Sequence, residues 1–264
     1  MSPARPPEGA RHRSAQRGGD SSSAARPPEG ARHRSAQREV LPAGGDLRHR
    51  LEQGAQALGV SLSTAQVDQL LAFLDLLGKW SRVYNLTALR SVDEGLTLHL
   101  LDSLALLAPL RQHLAGWPPS GEGPVRVLDV GSGAGLPAVV LAIACPDMRV
   151  TSVDAVAKKA AFVTQVAAQL HLPNLHARHD RVQAVTEPHQ LIVSRAFASL
   201  ADFTAWSRQA LADGGVWVAM KGRRPDDEIA ALPPDCHVFH VEPLIVPGLD
   251  AERCLVWIRP APTA

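Results

Sequence analysis

Gly131, Gly133 and Gly135 stand in five consecutive positions, directly after an apolar run, Val125 to Val130, that carries one acid, Asp129. Glycines so placed let a backbone approach a ligand or take a turn that side chains forbid. The dinucleotide fingerprint is G-x-G-x-x-G. Here the spacing is G-x-G-x-G, and Leu136 occupies the place of the third fingerprint glycine. The G-K-[ST] of a phosphate loop is absent, so pyrophosphate ligands are disfavoured. Asp154 ends the next apolar stretch and offers a carboxylate to ribose hydroxyls. A nicotinamide dinucleotide would use such an acid equally well, and a purely structural turn is the third reading of the glycines.

Two further groups carry chemical potential. His99, Asp102 and Ser103 are three and four residues apart, which places them on one face of a helix. A hydrolytic triad needs a linear relay from nucleophile to base to orienting acid. Neighbours on one helix do not supply it, so a polar stripe on a pocket wall is expected. Arg195 and the run Lys221, Gly222, Arg223, Arg224 are cations at the ends of apolar stretches. Such groups position a phosphate or a purine, and the bland reading of the run is a solvated turn. His171, His176 and His179 crowd one turn and are read as solvated, so no metal site is expected.

These groups need elements to hold them. Residues 1–38 contain "ARPPEGARHRSAQR" twice, at 4–17 and 25–38, with eight Arg and three acids. That net of +5 leaves −4 on the rest of a chain whose formal charge is +1. The repeat lacks an apolar face, so residues 1–45 are expected to form a disordered basic tail. The preferred reading is a recent DNA duplication or an upstream stretch misassigned as coding; a basic arm for nonspecific RNA contact is the alternative. Residues 46–115 read as a helical subdomain. Ser63-Thr64-Ala65-Gln66 resembles a capping box, and Val67, Leu70, Leu71, Leu74 and Leu77 then follow at helical spacing. A second cap at Ser91 precedes a helix so rich in leucine that burial on all sides is implied. From 120 to 264 strand and helix patterns alternate, with strands expected at 125–130, 149–153, 175–179, 190–194, 215–220, 237–242 and 253–258. This order predicts a mostly parallel, doubly wound α/β sheet whose ligand lies at the carboxyl ends of the strands.

Several classes are disfavoured. Three distant cysteines, Cys145, Cys236 and Cys254, suggest neither a disulfide framework nor a zinc site. No apolar run reaches the ~18 residues of a membrane span, and no secretion signal opens the chain. A cytoplasmic protein is expected, with Asn85-Leu86-Thr87 unglycosylated. No long exposed apolar stripe is evident, which favours a monomer.

The D-x-G-x-G-x-G loop with its later acid resembles the cofactor site of class I methyltransferases, whose ligand is S-adenosylmethionine. Exocyclic amine methylators carry [DNS]-P-P-[YF] after the fourth strand, whereas this chain has Ser194-Arg195-Ala196-Phe197. Cytosine-C5 enzymes need a nucleophilic cysteine there or in the next strand, and none is in place. A site without a base suits guanine N7, which has a lone pair and no proton to remove. "NLTALRSVDEGLTLHLLDSLAL", "LDVGSGAGLP", "VSRAFASL", "MKGRRPDDEI" and "VPGLDAERCLVWI" occur in this order. Together they resemble the glucose-inhibited division protein B family over residues 47–259. The resemblance implies a Rossmann-like seven-stranded core and methylation of guanine N7 in 16S rRNA of the small ribosomal subunit or its precursor. It implies a cofactor loop at Gly131 and Leu136, adenine contacts at Val182 and Gln183, and Arg195 near both cofactor and substrate. It places Asn85, His99 and Asp102 at the border of the active site and assigns Lys221 to RNA. Ala138, Gln183 and Cys254 depart from the family's usual Gly, acid and His. A methyltransferase of a small molecule or protein, and a non-catalytic ribosome-assembly module, are the alternatives.

Overall fold

The computed structural model describes residues 46–84, 86–87, 91–115 and 123–262. The duplicated tail and Asn85 lie outside the described residues. The chain begins with α1 (Leu47–Ala57), whose first turn is capped by the Asp46 carboxylate on the Arg48 N–H. α2 (Thr64–Tyr84) opens on the expected capping box: the Gln66 N–H donates to Ser63 Oγ at 3.3 Å, and the Ser63 N–H donates to Gln66 Oε1 at 2.9 Å. Its buried stripe is Val67, Leu70, Phe73, Leu74 and Leu77. Phe73 takes the central place that the leucine pattern had given to Leu71, which is half-buried.

The leucine-rich helix holds a feature that periodicity did not show. It starts as α3 (Val92–Gly95) under a Ser91 cap, widens into a π-helical stretch (Leu96–Leu101), and resumes as α4 (Asp102–Leu104). Leu96, Leu100, Leu101 and Leu104 are fully buried. Apolar side chains in every direction report burial but not how many residues fill each turn. α5 (Leu107–Ala115) completes the helical leader.

The sheet has seven strands: β1 (Arg126–Val130), β2 (Arg149–Asp154), β3 (Leu175–His179), β4 (His189–Arg195), β5 (Leu211–Lys221), β6 (Cys236–Leu244) and β7 (Arg253–Pro260). Their spatial order is β3-β2-β1-β4-β5-β7-β6. The first five are parallel, and β7 runs antiparallel between β5 and β6. The crossovers carry α6 (Ala138–Ala144), α7 (Ala157–Gln169) and α8 (Leu200–Ser207); the short α9 (Asp226–Ala230) follows β5. This is the α/β architecture expected of a class I methyltransferase.

Alternate strand residues serve opposite faces. Val127, Val193, Val218 and Trp257 join the leader helices, α6 and α7 in one apolar layer. Leu128, Ile192, Trp217 and Val256 join Leu200 and Phe203 of α8 in the other. The leader therefore shares a core with one face of the sheet, which fixes His99 and Asp102 relative to the strand ends. β1 lies between β2 and β4, so the topological switch falls at its carboxyl end, where Asp129 and the glycines stand.

Candidate functional site

The loop after β1 is tied to its neighbour: the Gly131 and Ser132 N–H groups both donate to the Val153 carbonyl, at 3.0 and 3.2 Å. Gly131 has φ +65°, and a Cβ there would lie 2.1 Å from Phe197 Cδ2. Gly135 has φ +81°, and its Cβ would strike Val139 Cγ2 at 2.6 Å, so this glycine serves helix packing. The Gly133 N–H donates to Asp154 Oδ2 at 2.9 Å. Leu136 is 4% exposed, its side chain in the core rather than toward a ligand.

Asp129 is fully buried behind this loop. Its Oδ2 accepts the Ala138 N–H at 3.0 Å, while Oδ1 has no hydrogen-bond partner among the described residues. Burial pushes its carboxyl up to about 6; the Ser132 side chain, the Ala138 N–H and the Arg195 charge oppose that rise, and Asp154 adds to it. Asp154 closes the second strand, with Oδ1 held by the Val156 N–H at 2.8 Å and Lys159 Nζ 3.9 Å from Oδ2.

A cavity of about 470 Å³ opens over these strand ends. Four expected residues line it: Gly131, Asp154, Val182 and Gln183. Gly133, Gly135, Leu136 and Asp129 shape the loop from behind. Phe197, Trp206 and Asp180 also line the cavity and were not singled out from the sequence. Only "after a strand end" would have pointed to Asp180, and a lone aromatic on a helix carries no signal. The volume falls in the range of a small-molecule site. The glycine backbone, the ribose-type acid and the uncompensated oxygen of Asp129 together fit a nucleoside ligand bearing a cationic amino-acid tail.

The second cluster lies beside the exit of β4. Arg195 Nη1 donates to the Leu98 carbonyl at 2.9 Å and to Asp102 Oδ2 at 3.0 Å. Arg253 Nε donates to Asp102 Oδ1 at 2.7 Å. One buried carboxylate thus joins two arginines from distant segments. Arg253 escaped the sequence reading because a partner 151 residues away leaves no local pattern. Both ring nitrogens of His99 and the Ser103 hydroxyl are buried without a hydrogen-bond partner in the described residues. Burial lowers the His99 pKa and the Arg195 charge adds to that, against the Leu98 backbone and Asp102, which favours the neutral ring. Two guanidinium groups, one carboxylate and a neutral imidazole leave the cluster net positive.

Ala196 separates the two regions. Its φ of +52° is a left-handed backbone at a non-glycine residue. Arg195 goes to the leader helix, whereas Ala196 and Phe197 line the cavity. Lys221 does not project freely: its Nζ donates to the Ala198 carbonyl at 3.0 Å and to Glu228 Oε2 at 2.8 Å. Glu228 also receives the Leu200 N–H at 2.8 Å. Arg223 and Arg224 line another cavity, of about 420 Å³, with Arg253 and the β6–β7 connection. Arg224 pairs with Asp226 at 2.6 Å in an exposed setting. The three histidines at 171, 176 and 179 are exposed, as expected. No described helix is long and apolar enough to cross a membrane.

The model of the family described as rRNA small subunit methyltransferase G matches residues 66–256. A protein named ribosomal RNA small subunit methyltransferase G from Acidovorax sp. (strain JS42) is 61% identical over 214 residues, covering 80% of this chain and 95% of the relative. The protein of that name from Verminephrobacter eiseniae (strain EF01-2) is 58% identical over 230 residues, covering 83% and 96%. The one from Leptothrix cholodnii is 56% identical over 218 residues, covering 82% and 97%.

Proposed function

The chain belongs to the rRNA small subunit methyltransferase G family, and from that premise we propose that it methylates N7 of a guanine in small-subunit ribosomal RNA. The observation that carries this reading is the division at Ala196: consecutive residues leaving β4 supply a wall of the cofactor cavity and the arginine of a cationic cluster. A methyl donor and a purine acceptor can then meet across a single turn of backbone.

S-adenosylmethionine, when bound, supplies a methyl group already activated by a sulfonium. Gly131, Asp154, Val182 and Gln183 would hold its adenosine and main chain, with the Asp129 charge behind the loop favouring its cationic tail. Guanine N7 carries no proton, so the site needs no general base, and the neutral His99 is not asked to act as one. The work left to the protein is orientation and proximity. Arg195 is held through Nη1, which leaves Nε and Nη2 to donate to a purine carbonyl oxygen, a pairing that arginine makes readily. Asp102 fixes Arg195 and Arg253 in one geometry. The net positive cluster attracts the polyanion and disfavours the cationic base formed by methylation. In this reading Arg223 and Arg224 contact phosphates. Lys221, expected to share that task, acts first by bracing the loop through Ala198 and Glu228. Asn85 lies outside the described residues, and its place at the border of the site rests on the family motif. The enzyme would work as a cytoplasmic monomer on the subunit or its precursor.

The test uses purified protein, radiolabelled S-adenosylmethionine and small subunits from a strain lacking the gene. Cleavage selective for N7-methylguanine should map the label to one guanine. Absence of label with intact cofactor binding would overturn the substrate.

A further inference from the structure

Trp206 is 39% exposed, although it is the bulkiest side chain of α8. The helix is not loose. Phe203, Thr204 and Ser207 are buried, and Trp217 Nε1 donates to Ser207 Oγ at 2.9 Å, which pins α8 beneath β5. Trp206 is therefore held away from the core by its own neighbours. It lines the 470 Å³ cavity, and its ring meets Phe197 edge to face at a centroid distance of 5.9 Å and 79°. Phe197 in turn lies against Gly131, where a Cβ would have no room. The two rings form one continuous aromatic wall running from the glycine loop to the outer rim. The remaining walls carry the acids Asp154 and Asp180, the cations Lys159 and Arg181, Gln183, and apolar groups such as Val182.

We propose that Trp206 is a cofactor-binding residue and that its ring packs against the purine of S-adenosylmethionine, with Phe197 holding the indole in place. This rests on the cofactor assignment made above. Three observations favour the purine over the other parts of the ligand. The purine is the ligand's only aromatic group. Trp206 lines the cavity together with Val182 and Gln183, the residues expected at the adenine. The cationic tail is better served by the buried carboxylate behind the glycines.

The experiment is calorimetric titration of the folded protein with S-adenosylmethionine and with S-adenosylhomocysteine, which lacks the sulfonium charge. Trp206→Leu is expected to weaken both by about five- to tenfold, the range of one base–aromatic stack. Trp206→Phe, which keeps a ring, is expected to bind within about twofold of wild type on the same argument. Binding is expected to change the intrinsic fluorescence of the wild-type protein, and that change is expected to vanish in Trp206→Phe. Affinity of Trp206→Leu equal to that of the wild type for both ligands would overturn the inference. So would a loss confined to S-adenosylmethionine, which would place the ring at the sulfonium, or a fluorescence change that persists in Trp206→Phe. Failure of the wild-type protein to bind either ligand would instead overturn the cofactor assignment itself.

Discussion

Asp129→Asn tests the electrostatics of the glycine loop through folding alone. Burial holds the Asp129 carboxyl at about 6, against 3.8 for the free group. The folded state therefore binds this proton more tightly than the unfolded state. Stability from this group is fully present below pH 3.8 and is lost as pH rises through 6. The whole shift corresponds to about 3 kcal/mol, of which about 2 kcal/mol falls between pH 4.5 and 7.5. Asparagine keeps the acceptor for the Ala138 N–H and cannot ionise. It brings two amide donors that lack a partner, at a cost of about 1–3 kcal/mol, but that cost does not vary with pH. The comparison between pH values is thus free of it. Urea unfolding of both proteins at the two pH values, without cofactor, is the assay. The stability of Asp129→Asn relative to wild type should rise by about 2 kcal/mol from pH 4.5 to 7.5. A constant difference would refute the reasoning, since Asp129 would then ionise as easily in the folded protein as in the unfolded one.

Gly131→Ala places a methyl group where Phe197 lies and forces an L-residue to φ +65°; it should cost about 1–2 kcal/mol in denaturant unfolding and at least about tenfold in S-adenosylhomocysteine affinity. Lys221→Met strands Glu228, whose side chain is 34% exposed, and should lower stability by about 1–3 kcal/mol as read by urea unfolding. Arg223→Ala with Arg224→Ala should leave the thermal midpoint unchanged while weakening RNA binding and flattening its logarithmic salt dependence by about one unit per residue. Asp102→Asn should leave cofactor affinity intact but lower methyl transfer by about 100-fold, because Arg195 and Arg253 lose their common anchor; equal affinity and equal turnover would exclude Asp102 from positioning.

β1, β4, β5 and β7 were legible because each carries a short apolar run bounded by glycine, proline or a charge, whereas β3 and β6 are mixed in polarity and followed from the alternation of elements. The carboxyl-edge location of the site follows from their alternation with helices. The capping box at Ser63 and the buried leucine helix were legible for the same reason, since both depend on residues within one turn. What escaped depends on contacts that sequence spacing does not encode. Arg253 meets Asp102 across most of the chain. Trp206 faces the cavity only because Ser207 is fixed by Trp217. The charge of Lys221 was legible, but the Glu228 that absorbs it was not, because they meet only once α9 folds back. The glycines were visible as a group, whereas their separate tasks, Gly131 against an aromatic ring and Gly135 against α6 and α7, depend on packing.

The π-helical stretch works as a phase adapter between two halves of one helix. An α-helix advances about 100° per residue, so a turn that holds one residue more resets the angular position of everything beyond it. Upstream, Leu96 keeps its place against the leader; downstream, Asp102 is delivered to Arg195 and Arg253. Deleting one residue between Leu96 and Leu101 would restore regular α-helical bonding and improve the segment taken by itself. It would also turn the carboxylate about 100° away from both arginines. Local regularity and the geometry of the site are in conflict here, so the number of residues in this stretch matters to the site independently of their types.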